Sequence, residues 1–75
     1  MNKERRKQVM KIVKELEKIK SDIESVMEDE QCAYECLPEN LQNSMRASNM
    51  EEAIDNLDNA ASSVDDVVNY LEEVV

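Results

Sequence analysis

From Met50 onward the sequence divides into sevens: MEEAIDN, LDNAASS, VDDVVNY, LEEVV. Each unit opens on a large apolar residue (Met50, Leu57, Val64, Leu71), and an acid follows it (Glu51, Asp58, Asp65, Glu72). The fourth place is Ala53, Ala60, Val67 and Val74, and the fifth is Ile54, Ala61, Val68 and Val75. A strand repeats every two residues and cannot carry this period, whereas seven residues are two turns of an α-helix. Three apolar places in seven make a stripe wider than a two-stranded seam, as in a helix with more than one neighbour. Ser48-x-x-Glu51 and Asn49-x-x-Glu52 each offer a cap and an acid three places on, so the spacing predicts a helix over about 49–74.

The first half carries the same period. Val9, Ile12, Leu16, Ile19, Ile23, Val26, Glu30, Ala33 and Leu37 step alternately by three and four, with Glu30 as the one polar break. A second row, Val13, Lys20, Met27 and Tyr34, runs one position behind. Asn2 is the candidate N-cap, and the expected helix spans about 3–36, roughly 50 Å at about 1.5 Å per residue.

Between the helices lies CLPENLQNSMRASN, with the only proline of a chain that has no glycine. Pro38 lacks an N–H and disfavours α geometry at Leu37, so the first helix is expected to stop at about Cys36. Residues 37–48 form the connection. Leu37, Leu41 and Met45 are four apart, which predicts a short helical piece from Pro38 to about Met45 whose Leu41 and Met45 cover the end of the pair. The fold expected is all-α: one domain, 1–75, an antiparallel helical hairpin. Its seams align where paired residue numbers sum to about 87 (Leu16 with Leu71, Ile23 with Val64, Leu37 with Met50).

Charge is segregated along the chain. Residues 1–20 hold eight bases and three acids, and residues 49–75 hold eight acids and no base. An antiparallel pair brings these ends together, so the N-terminal bases are expected to pair with the C-terminal acids. A chain this short buries only about 60% of its unfolded surface, and oligomerisation is a common remedy. On the expected seam the two extra apolar rows fall on opposite sides of the hairpin. Covering both calls for a second copy, hence a homodimer forming a four-helix bundle.

The same residues bound the function. The basic start is followed by no apolar signal core, and no stretch approaches the about 18 apolar residues of a spanning helix, so a cytoplasmic protein with no membrane partner is expected. Cys32 and Cys36 are four apart on a helix. Their Cβ atoms would be about 5–6 Å apart, too far for an unstrained disulfide, and with no histidine present they are expected to be reduced and free of metal. Lys7, Lys11, Lys14 and Lys18 share one face, but no aromatic is interleaved and the net charge is −9, which makes nucleic acid an unfavoured partner. No glycine-rich phosphate loop and no Glu-x-x-His pattern occurs, so no catalytic, cofactor-binding or metal residue is assigned and no cofactor is expected. The functional expectation is a non-enzymatic protein-interaction or structural module with an unidentified protein partner. The alternative is an acidic mimic of DNA that occupies the DNA site of a DNA-processing or defence enzyme.

NKERRKQ, PENLQ followed by a serine and an arginine, and EEAIDNLD resemble a family of short acidic helical-hairpin proteins from Gram-positive bacteria and their prophages and mobile elements. The resemblance covers most of the chain. It implies a helical hairpin and a possible mobile-element origin, and it carries no site residues.

Overall fold

Asn2 opens the first helix as expected: extended at φ −80°, ψ 170°, it accepts the Arg5 N–H on its side-chain Oδ1 at 2.8 Å. That satisfies one of the N–H groups a helix start leaves unpaired. In the computed structural model, which describes every residue from Met1 to Val75, helix α1 spans Lys3–Glu35 and helix α2 spans Met45–Val74. A single 3-10 turn, Glu39–Leu41, joins them. The protein is therefore an all-α hairpin, with α2 returning antiparallel along α1.

The connection works without glycine. Helices often stop on a left-handed residue that glycine supplies, yet no residue here has positive φ. Cys36 ends α1 by donating its N–H to the Cys32 carbonyl at 3.1 Å. Pro38, held at φ −59° by its ring and extended at ψ 151°, then turns the chain out of the helix. Leu41 donates back to the Pro38 carbonyl at 2.9 Å, and Ser44 to the Leu41 carbonyl at 3.1 Å.

Two expectations about this segment are corrected. The helical piece is one 3-10 turn, shorter than Pro38 to Met45. Leu41 is half-buried, but Met45 is 78% exposed and covers nothing. The second helix also begins at Met45 rather than 49. Its cap is Ser44, whose hydroxyl donates to the Leu41 carbonyl and accepts the Ala47 N–H at 3.3 Å. The capping boxes at Ser48 and Asn49 lose to this earlier cap because Ala47, at 2% exposure, extends the packed face by one layer. A helix starting at 49 would leave that layer outside the seam.

The seam itself departs from expectation on α1. The covered residues of α1 and its C-terminal extension are Val9, Val13, Leu16, Lys20, Ile23, Met27, Glu30, Tyr34 and Leu37, with Gln31 at the margin. This is the three-four alternation rotated by one row. Val13, Lys20, Met27 and Tyr34 turn inward, while Ile12, Ile19 and Val26 remain 44%, 47% and 55% exposed. In heptad letters the inward row is a, Val9 to Leu37 is d, and the exposed isoleucine row is g. On α2 the expected seam holds with Ile54, Ala61 and Val68 at a and Met50, Leu57, Val64 and Leu71 at d; the earlier helix start adds Ala47 to the a row, and Val75, past the helix end, is 45% exposed.

The register shifts with the rotation. Lys20 meets Asp65 and Tyr34 meets Glu51, pairs whose numbers add to 85 rather than 87, within one turn of the expected alignment. By this register Ile23 comes within about one residue of the level of Ala61 and Leu37 of that of Ala47, large against small.

The result is a rod, 60 × 15 × 11 Å, with a radius of gyration of 17.3 Å. A compact chain of this length would have about 11 Å. Only four residues are buried: Val13, Ala47, Ala61 and Val68. The Ser44 cap yields a test. Ser44→Ala should destabilise the fold by about 1 kcal/mol, while Asn49→Ala, inside the helix, should be neutral or slightly stabilising in denaturant titration. The reverse order would restore the later helix start.

Candidate interaction surface

All four buried residues are a residues. No d residue on either helix is buried, although eight of the nine are apolar. In an antiparallel pair the a and e rows of both helices share one flank of the seam, and the d and g rows share the other. The hairpin is thus closed along its a/e flank and open along its d/g flank.

Polar tips do the closing. Lys20 lies in the a row, and its Nζ donates to Asp65 Oδ2 at 2.9 Å with Oδ1 at 2.8 Å. Fourteen residues on, four turns toward the tip, the Tyr34 hydroxyl donates to Glu51 Oε1. Both acceptors belong to the acid row that follows each heptad opening on α2. The long side chains at Lys20 and Tyr34 therefore explain the rotation of α1. Turned inward, they reach carboxylates, whereas the shorter Ile19 and Ala33 beside them have no polar group to offer. The hydrogen bond to Asp65 raises the Lys20 ammonium above its ordinary 10.5; desolvation opposes this, and the Asp65 and Glu24 charges add to it. Donation to Glu51, with desolvation and the Glu51 charge, raises the Tyr34 phenol above its ordinary 10.0.

Lys20–Asp65 is the one ion pair in the molecule. The expected pairing of the N-terminal bases with the C-terminal acids is therefore confined to a residue at the edge of the basic segment. Lys7 and Lys14 sit at b and Lys11 and Lys18 at f, turned away from α2, and all four are exposed. They form a solvated basic stripe. Cys32, at f, and Cys36, at the helix end, are exposed free thiols, and no group of three or more cysteine, aspartate and glutamate side chains is arranged to hold a metal ion.

The open flank is different in kind. The g row of α1 (Ile12, Ile19, Val26, Ala33) and that of α2 (Ala53, Ala60, Val67, Val74) run side by side. This corrects the expectation that the two extra rows lie on opposite sides. The error follows from the seam: once α1 rotates, its surplus row moves from the e flank to the g flank. Six of the ten large apolar residues that remain exposed lie here, Tyr70 among them, next to Val67 and Val74 on α2 and 76% exposed. From Val9 to Ala33 on α1 and from Met50 to Val74 on α2, Glu30 is the only charged residue in the d and g rows. The sequence held the signal for this face, because both g rows are visible in it. Only the rotation of α1 joins them.

The surface depressions are shallow and lie on the helix flanks. One is lined by Asp66, Asn69, Tyr70 and Glu73, and the other two gather around Tyr34 and Glu51. No helix is long and apolar enough to cross a membrane. The chain matches no protein-family model, no curated protein and no solved structure.

The Lys20 and Tyr34 contacts set a pH dependence. Both groups hold their protons more tightly folded than unfolded. Their stabilisation is complete below the unfolded values of 10.5 and 10.0 and is lost as pH rises through the higher folded values. Melting followed by circular dichroism should show a loss of Tm above about pH 10, and the double variant Lys20→Met, Tyr34→Phe should show a smaller loss over the same range. An equal loss in both proteins would assign the effect to general charge repulsion.

Proposed function

We propose that this chain is a non-enzymatic protein-interaction or structural module whose working surface is the d/g flank. One observation carries the reading: every buried residue lies in the a rows, while the apolar d rows are only half-buried and the g rows beside them are exposed at all but Ala53. Contiguous exposed apolar surface on a small soluble domain marks an interaction site. Here the apolar rows are continuous over roughly 30 Å, at about 1.5 Å per helical residue. The absence of histidine and glycine removes the commonest acid–base group and the phosphate-cradling loop, which favours binding over catalysis. PENLQ at the turn and the helix motifs around it support an origin in a Gram-positive bacterium or one of its mobile elements.

A second reading, an acidic DNA mimic, draws on the opposite flank. There Glu17 and Glu24 of α1 share the e rows with Glu51, Asp58, Asp65 and Glu72 of α2. Six acids over roughly 30 Å give about one charge per 5 Å, against one per about 1.7 Å along DNA. The spacing places this reading second.

Paired charge insertions separate the two. The immobilised chain should retain a protein partner from a Gram-positive extract with modest salt dependence. Val26→Asp on the open flank should reduce retention at least tenfold, while Met10→Asp on the closed flank should leave it unchanged. Inhibition of a DNA-cleaving enzyme that fades steeply with added salt, and is unaffected by Val26→Asp, would instead select the DNA mimic.

A further inference from the structure

We infer that the partner of the d/g flank is a second copy of this chain, and that two hairpins stack on these flanks as a twofold four-helix bundle. The inference rests on the interaction-module reading and names its partner.

Area supports it first. The isolated hairpin exposes 5847 Å2. A compact folded chain of 8.7 kDa exposes about 4,700 Å2. The excess, roughly 1,100 Å2, exceeds the about 800 Å2 that each partner contributes to a specific interface. A second hairpin of the same length presents two ridges and a groove, matching the two g ridges and the d-lined groove between them over the whole rod.

Charge placement supports it independently. A chain of net charge −9 repels its own copy unless the acids point elsewhere. On α2 they do. The acids of α2 occupy the b, e and f rows, and its c row, which borders the open flank, is Asn49, Asn56, Ser63 and Tyr70, uncharged throughout. A basic foreign partner would be met by acids on its docking face, but this face offers only Glu30 within its apolar rows, with Glu15, Asp22 and Asp29 on the α1 rim. Apart from Glu30 and that acidic α1 rim, the face is apolar and self-similar, which fits an isologous contact, in which one patch covers itself.

Sedimentation equilibrium of the intact chain at about 50 μM should give twice the chain mass of 8.7 kDa, and Tm should rise with protein concentration. Ile19→Asp and Val67→Asp should each raise the dimer Kd at least 100-fold, while Met10→Asp, the same charge on the closed flank, should change it less than threefold. Because a charged variant that monomerises can also unfold, the unaltered chain supplies a second readout. On dilution, methyl resonances of Ile12, Ile19, Val26, Val67 and Val74 should shift and those of Met10 should not. A monomer mass at that concentration, or a dimer weakened by Met10→Asp but not by Ile19→Asp, overturns the inference. In the first case, loss of a foreign partner in Val26→Asp would leave the interaction-module reading standing.

Discussion

Two small residues on the inward face of α2 are what the rest of the hairpin depends on. Ala47 and Ala61 are the two most deeply buried residues of the chain. Small side chains at these places leave room for larger residues of α1 at the same level. That spacing ties register to packing. Sliding α2 by one residue would carry each alanine off the level it serves and turn the stripe by about 100°. The Ser44 cap belongs to the same constraint, since the helix must begin early enough to place Ala47 in it.

Close approach of two helices still leaves two flanks, and they are finished by different physics. On the a/e flank, long side chains with polar ends reach over the seam to carboxylates, as Lys20 does to Asp65 and Tyr34 to Glu51. Exposed polar pairs of this kind add little stability, and their effect here is mainly orientational. Together with the burial of Val13 and the half-burial of Met27 in the same row, they favour the observed rotation of α1 about its own axis. On the d/g flank nothing of the kind exists, so aliphatic residues stay half-exposed along both helices. A two-helix rod cannot close both sides of one seam. The asymmetry follows from which flank carries the polar reach.

That asymmetry is what supports the proposed use. On α2 the acids, spread over the b, e and f rows, keep the outer surface hydrated and mutually repulsive. The g rows, together with the neutral c row of α2, withhold charge from one side only. Surface solvation alone would not require such a division, because acids distributed over all outward rows would serve equally well. The division gives the rod one side that tolerates contact with protein and another that resists it, and this agrees with a module whose chemistry is association.

Much of this was legible in the sequence, for definite reasons. The seven-residue repeat determined two helices, and Pro38 in a chain without glycine determined where the first one stops. The α2 seam was readable because its apolar and acid rows are unambiguous. Function was less legible, since no residue pattern here is tied to a particular reaction. The α1 seam was not readable from apolarity, because two rows flank the d row and the more apolar one, Ile12, Ile19, Val26 and Ala33, is the one left outside. The early start of α2 was hidden for a similar reason: Ser48 and Asn49 are good caps locally, and Ser44 wins only because Ala47 has something to pack against. Local chemistry determined which segments are helical. The tertiary contact between α1 and α2 decided which faces meet, because the reach of Lys20 and Tyr34 to particular carboxylates exists only once the helices lie side by side.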